Sequence, residues 1–430
     1  MSPFALLLPA WILPLGLRLL ALSESERNWR PGTIVMVVWA TLALTTISFC
    51  GSALLRKNLK NDGGMRFRYV IYELSSRRLS LVMLAMFAIA SVAFIYNEFI
   101  SNPVGIPLIT YIADPEISRD PNWQWKWGSF WMLSIPVFAF TALLYLKART
   151  EKRFTKKGLL LVGASFYPVM ELLKMSRSDC IYGLTCILFA EYYYRKSLRQ
   201  SGKKKKTSLR RILQGSAVVA LIGGAALVSA SVFSEIRGSK PMSAYAEKLG
   251  MSVELPDPYA SVVVETYGYL ALPFENFSNF VNSYPGRENL GVGVLRPIYT
   301  ALGLGAIPRS ELQDIDFDKY LEMLPINTYP FLATIYAESG WIGIMLAPIF
   351  YALMINYLYL RFRLAPSITS FSLYSIMASY CWLWMFCNQN FTGLQYYLYA
   401  LCAPILIAGM SMLERSLSKY AAQRMPTQPG

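Results

Sequence analysis

The chain contains no histidine, and only 16% of its 430 residues are charged, against about 25% in a soluble domain. Each shortage excludes something. Without imidazole there is no Ser-His-Asp or Cys-His nucleophile pair, no HExxH zinc site and no His-ligated haem, so proton transfer falls to carboxylates, Tyr, Lys or Cys. The scarcity of charge, beside 54% hydrophobic residues, leaves more apolar surface than a globular core buries, and lipid is the solvent this composition demands. Cysteine is sparse as well. Cys50, Cys180, Cys186, Cys381, Cys387 and Cys402 lie in or at the ends of apolar runs and none forms a CxxC pair, so they read as buried thiols rather than disulfides or metal ligands.

A membrane-crossing helix takes about 20 mostly apolar residues. The runs that approach this are 3–22, 32–55, 79–100, 128–146, 158–173, 180–194, 212–233, 338–360, 371–388 and 396–413. Lys174, Arg177 and Asp179 interrupt the stretch 158–194, which reads either as one long helix or as two short ones. The first run lacks a basic leader and carries Arg18 near its end, the pattern of an anchor rather than of a cleaved signal peptide. The net charge of +15 is concentrated in alternate connectors. Loops 56–78, 147–157 and 195–211 are dense in Lys and Arg, including the run Lys203 to Lys206, while 101–127 and 388–395 are nearly free of them. Basic short loops stay cytoplasmic, so both termini are expected inside, and the charge marks topology and anionic lipid rather than nucleic acid.

The predicted fold class is therefore all-α: a polytopic inner-membrane bundle of about ten or more helices with one large, partly helical periplasmic loop. The expected organisation is N-terminal membrane helices over 1–233, the loop over 234–337, C-terminal membrane helices over 338–413 and a cytoplasmic tail over 414–430. A loop of that length is expected to be functional. It contains YASVVVETYGYLALPFENFSNFVNSY (259–284) and VGVLRPIYTALGLGAI (292–307), read as re-entrant or interfacial pieces.

Arginine on the outer side is scarce under the positive-inside rule, which singles out Arg177, Arg237 and Arg296 among a short list. A guanidinium offers a planar fork of donors that matches phosphate and stays charged when partly desolvated. Near a bilayer the corresponding anion is a lipid pyrophosphate; the plainer role is an ion pair, such as Arg177 with Asp179 or Glu171. Carboxylates are the bases available without histidine. Glu265 and Glu275 are flanked by aromatic residues, and Glu338 stands at the mouth of an apolar run, where it serves either chemistry or a helix N-terminus. The acidic stretch ELQDIDFDKYLE (311–322) has a DxD spacing but no EF-hand glycine, and reads as a solvated face rather than a metal site. Aromatic rings and amides such as Tyr329, Tyr336, Asn276 and Asn327 are suited to sugar faces and hydroxyls, or to anchoring at the membrane interface.

The stretch NTYPFLATIYAESGWIG (327–343) resembles the late motif of the O-antigen polymerase family, the Wzy-like repeat-unit polymerases, with Asn327, Tyr329, Tyr336, Gly340 and Gly343 in register. Pro330 stands where that family usually has Thr, and Glu338 replaces Asp. KMSRSD is similar to a short arginine segment of the same family and places Arg177 on its arginine; ETYGYLALPFENF is similar to a segment of its outer loop, and 388–391 to its late asparagine. The resemblance implies a bundle like those of the C-type membrane glycosyltransferases and a metal-independent enzyme without cofactors. It implies transfer of a growing glycan from its undecaprenyl diphosphate to the next lipid-linked repeat unit at the periplasmic face, in O-antigen, capsule or exopolysaccharide synthesis. Donor and acceptor are both undecaprenyl-diphosphate-linked oligosaccharides, and a chain-length regulator and a flippase are the implied protein partners. In that reading Arg177, Arg237 and Arg296 hold the diphosphate, Asn276, Asn327, Tyr329 and Tyr336 hold sugar, and Glu338 or Glu265 takes the proton of the acceptor hydroxyl. An O-antigen ligase would share the donor but relies on a periplasmic histidine; a lipid-linked oligosaccharide transporter, or flippase, is the alternative from another class.

Six free thiols are expected. The denatured, unreduced protein should take up six maleimide groups, measured by intact mass, with no further uptake after reduction.

Overall fold

The computed structural model describes residues 2–19, 29–58, 63–101, 105–113, 136–174, 177–200, 259–284 and 329–383, with a few isolated positions between them. Helices account for almost all of these residues, and no strand occurs among them. In chain order they are α1 (Pro3–Leu19), α2 (Pro31–Asn58), α3 (Gly63–Ser75) and α4 (Arg77–Ile95), the last continuing into a π-helical turn, Tyr96–Ile100. Then follow α5 (Pro107–Ala113), α6 (Pro136–Thr150), α7 (Phe154–Leu173), α8 (Arg177–Gln200), α9 (Tyr259–Ser283), α10 (Leu332–Leu364) and α11 (Ile368–Leu383).

Three of these helices contain segments long and apolar enough to cross a membrane: Pro31–Leu54, Leu79–Ile100 and Ser339–Leu364, with mean hydropathies of 2.0, 2.4 and 1.7. Their surfaces are apolar on both sides. In α10, Ile344, Ala352, Ile355 and Phe362 are buried, while Trp341, Ile342, Leu346, Phe350, Leu353 and Tyr357 point out of the protein. An outward face of that composition is stable in hydrocarbon and costly in water. The other apolar runs within the described residues also form helices, but shorter or more charged ones. α1 has 17 residues, α11 has 16, and α8 carries Asp179, Glu191, Arg195 and Lys196. α6 is buried almost throughout, from Val137 to Leu144, and packs on α7, α8, α4, α11 and α3. The runs 212–233 and 396–413 lie outside the described residues.

Of the two readings of 158–194, the pair of helices is the one found: α7 is capped by Lys174 and α8 begins at Arg177. The segment 259–284, read as re-entrant or interfacial, holds one 25-residue helix, α9, packed on α1, α10 and α2. Its length suffices to cross a bilayer, yet it is not among the strongly apolar helices.

Side-chain pairings give the bundle two chemically distinct ends. At one, Lys147 Nζ donates to the Leu74 carbonyl at 2.5 Å, the Tyr194 hydroxyl donates to the Arg149 carbonyl, and the Ile368 amide donates to Glu73 Oε2. The basic segments around 68–78, 147–153, 195–200 and 361–363 therefore meet there. Burial beside the Leu74 carbonyl pushes the Lys147 ammonium pKa down. α1 starts toward this end, because Phe4 packs on Phe49 near the close of α2. The opposite end gathers the end of α4, the α7–α8 turn, the start of α2 and the start of α10. A Cβ at Gly32 would stand 3.5 Å from the Trp341 ring there. α2 and α10 run parallel, joined by Trp39 Nε1 donating to the Met345 carbonyl and Asn356 Nδ2 donating to Ser48 Oγ.

α10 is kinked at Gly340, whose φ of 53° and ψ of −142° lie outside what an L side chain tolerates. Gly51 answers a different need: a Cβ there would stand 2.5 Å from Asn356 Oδ1 in the α2–α10 seam. Gly340→Ala should lower stability by about 1–3 kcal/mol, and Gly51→Val by about 1–3 kcal/mol through overpacking. Both are measurable by thermal unfolding of the detergent-solubilised protein.

Candidate functional site

Apolar sequence ends abruptly at YNEFI, and the helix answers by widening. The π-helical turn 96–100 buries Asn97, Glu98 and Phe99 together, and the Ser101 amide closes it on the Tyr96 carbonyl at 2.8 Å. Such turns are frequent at functional sites. Opposite stands the end of α7, where Lys174 caps the helix and its ammonium suits the negative end of the macrodipole. Lys174 Nζ lies 3.0 Å from Glu98 Oε2 and 3.1 Å from Glu171 Oε2, and 5.5 Å from the centre of the Phe94 ring. The Glu98 and Glu171 side chains are only 5% and 2% exposed. One ammonium thus bridges two buried carboxylates and an aromatic face, three residues before Arg177 opens α8.

A second constellation joins stretches far apart in sequence. Phe280 of α9 packs on Tyr329 and on Tyr336, and Phe277 packs on Tyr336, with ring centres 6.1 to 6.4 Å apart. Trp11 of α1 wedges between Phe274 and Phe331. Trp29, just before α2, lies over Phe274 and donates its indole N–H to Glu275 Oε1 at 2.6 Å. The segments 271–280 and 329–336 therefore form one seam, at the end of the bundle away from the basic connectors.

The predicted site residues fall variously. Arg177 is the first residue of α8, Glu265 lies on α9 and Glu338 on α10 just before the Gly340 kink; their side chains lie outside the described residues. Arg237, Arg296 and Asn327 lie outside them altogether, as does the acidic stretch 311–322 apart from Lys319. Asn276 and Tyr329 are described, and both are sealed in the seam, 0% and 2% exposed. Tyr329 packs there on Phe280 of α9. Phe274, Phe277 and Phe280 are likewise core rather than interfacial anchors. Tyr336 is half-buried, and burial pushes its phenol pKa up. Glu171 is ion-paired with Lys174; its pairing with Arg177 falls on a side chain outside the described residues. Among the described residues no three Cys, Asp or Glu side chains converge as metal ligands would.

Sequence reasoning missed Glu98. The available signal was an acid inside the apolar run 79–100, and an ionisable residue in a membrane segment is functional by default. It treated Lys174 only as an interruption, because the partners that make it a centre come from α4 and α7 and meet only in three dimensions.

No protein-family model, no curated protein and no solved structure matches the chain.

Removing one partner of a buried ion pair leaves the rest uncompensated. Lys174→Met should cost about 3–5 kcal/mol, whereas Trp29→Phe, which leaves Glu275 one donor short, should cost about 1–3 kcal/mol. Thermal unfolding of both variants in one detergent gives the comparison.

Proposed function

We propose that the protein is an oligosaccharide repeat-unit polymerase of the bacterial inner membrane. It crosses the membrane about ten times or more, keeps its basic connectors and both termini in the cytoplasm, and works at the periplasmic face. There it transfers a growing glycan from undecaprenyl diphosphate to the nonreducing end of the next lipid-linked repeat. The observation that carries this reading is the seam between α9 and 329–336: the two stretches that resemble the O-antigen polymerase family, some fifty residues apart, pack on each other at the end of the bundle opposite the basic segments.

The chemistry asked of the site is modest. The leaving group is a lipid diphosphate, already a good one, and arginine neutralises its charge through two parallel hydrogen bonds. Arg177, with Arg237 and Arg296, has that role. The attacking hydroxyl must lose its proton as the glycosidic bond forms, and in a chain without imidazole a carboxylate, Glu338 or Glu265, accepts it. Asn276, Asn327, Tyr329 and Tyr336 shape the acceptor side; for Asn276 and Tyr329, buried as they are, that means positioning the seam rather than touching sugar.

A second reading has an observation of its own. α10 is broken at Gly340, and Glu98, Glu171 and Lys174 are buried within the helices; broken helices and paired internal charges are the usual equipment of a transporter of lipid-linked glycans.

Purified protein in lipid vesicles should convert a lipid-linked repeat unit into a ladder rising by one repeat, with release of undecaprenyl diphosphate and without nucleotide sugar. Arg177→Lys, which keeps the charge but loses the fork, should slow the ladder by about 10- to 100-fold. An unaffected Arg177→Lys variant would refute bidentate binding, and unchanged glycan length together with movement of the lipid across the bilayer would establish the transporter instead.

A further inference from the structure

At the basic end of the bundle lies α3, which at 13 residues is too short to cross a membrane and packs on α4, α6, α8, α10 and α11. Its two faces differ as those of an interfacial helix do. Phe67, Val70 and Leu74 are buried against the bundle, while Tyr69 and Tyr72 are 50% and 74% exposed and Arg68 is exposed beside them. The Phe67 ring centre lies 5.9 Å from that of Tyr193 on α8, 6.1 Å from Phe362 on α10 and 5.7 Å from Phe371 on α11. Tyr193 and Phe362 meet edge-on at 4.8 Å, so rings from four helices fix one another. Phe67, Tyr193 and Phe362 also line a recess, together with Lys196, Ser197 and Arg363. Both cations are half-buried. A guanidinium N–H of Arg363 donates to the Tyr359 hydroxyl at 3.2 Å, and the guanidinium stands 5.8 Å from the centre of that ring. A phenol orients the cation in this way without cancelling its charge. Among the described residues no carboxylate lines the recess. Those described at this end have other printed partners in the fold: Glu191 holds Arg149, Arg195 and the Tyr145 hydroxyl, Glu73 accepts from the Ile368 amide, and Glu151 accepts from the amides of Lys152 and Arg153. Arg77 and Arg361, both exposed, add to the positive charge of this end.

We infer that this recess binds the headgroup of an anionic phospholipid from the leaflet at the basic end, with Arg363 on the phosphate and Lys196 beside it. The planar fork of a guanidinium matches phosphate oxygens, and basic pockets between membrane helices take anionic headgroups. The surroundings suit a lipid better than a soluble anion. Leu198 and Leu364, one position beyond Ser197 and Arg363, are 41% and 49% exposed, and Tyr357 on α10 is 64% exposed. Outward apolar side chains of this kind meet acyl chains, while tyrosines sit at headgroup level. The site does not depend on the glycan-transfer reading, since headgroup capture uses none of the residues given to that reaction.

Lipid displacement from the full-length protein in a neutral detergent tests this directly. A phosphatidylglycerol with a fluorescent label on one acyl chain should gain anisotropy on binding. Unlabelled phosphatidylglycerol should displace it about 10- to 30-fold more effectively than phosphatidylcholine, the preference that two cations give near a membrane surface. Arg363→Gln should lower that preference about fivefold, and Arg363→Gln combined with Lys196→Gln should abolish it. Arg363→Lys combined with Lys196→Arg, which keeps both charges, should retain most of it, separating loss of charge from loss of fold. Arg361→Gln, on the same helix but outside the recess, should leave it unchanged. Equal displacement by the two lipids, or a preference that survives in the double Gln variant, would overturn the proposal. A loss in Arg361→Gln as large as in Arg363→Gln would overturn it in favour of diffuse surface charge. Inorganic phosphate that displaces the probe as well as phosphatidylglycerol does would overturn it in favour of a soluble-phosphate site.

Discussion

Apolar outward faces are the constraint on which the rest of this structure depends. α2, α4 and α10 expose Leu, Ile, Val and Phe on the side turned away from their neighbours, so the hydrophobic effect cannot drive them together as it would in water. Close packing and a few interhelical hydrogen bonds take its place. Gly51 lets the Asn356 side chain approach α2, Asn356 reaches Ser48, and Trp39 reaches the Met345 carbonyl. Charged side chains with ion-pair partners among the described residues gather toward the two ends.

The ends use charge differently. At the basic end the cations meet carbonyls, single carboxylates and rings: Arg149 pairs with Glu191 at 2.9 Å and lies 5.1 Å from the centre of the Tyr194 ring. Most of these groups touch water, and pairs of this kind contribute little to stability. At the other end Lys174 is enclosed by two carboxylates and Phe94. Few charges held out of water have more effect than many held in it, which makes this end the place where chemistry and coupling are to be sought.

The two constellations at that end complement each other. The α9–α10 seam is built from rings, with Trp29 holding Glu275 at its margin, and gives shape with little charge. The Glu98–Lys174–Glu171 centre gives charge in a rigid setting, close in sequence to Arg177. A reaction that expels a diphosphate and must move a proton without imidazole needs both kinds of surface. A transporter needs them too, and what divides the two readings is whether the glycan is longer afterwards.

The sequence by itself determined the class of the protein's surroundings and the positions of most helices. Runs of apolar residues with scarce charge have no other stable solution, and alternate basic connectors already announced that one end would differ from the other. It also marked the Gly340 position, where the backbone adopts a φ open only to glycine. The tertiary structure alone decided that 259–284 is one continuous helix docked on α1, α2 and α10, that Asn276 and Tyr329 are sealed inside its contact, and that Glu98 finds Lys174. The reason is that hydropathy is a property of each segment, legible along the chain, whereas burial and ion pairing depend on which faces of distant helices meet. Glu98 and Lys174 are 76 positions apart in the sequence and 3.0 Å apart in space, and only the packing of α7 beside the end of α4 brings them together.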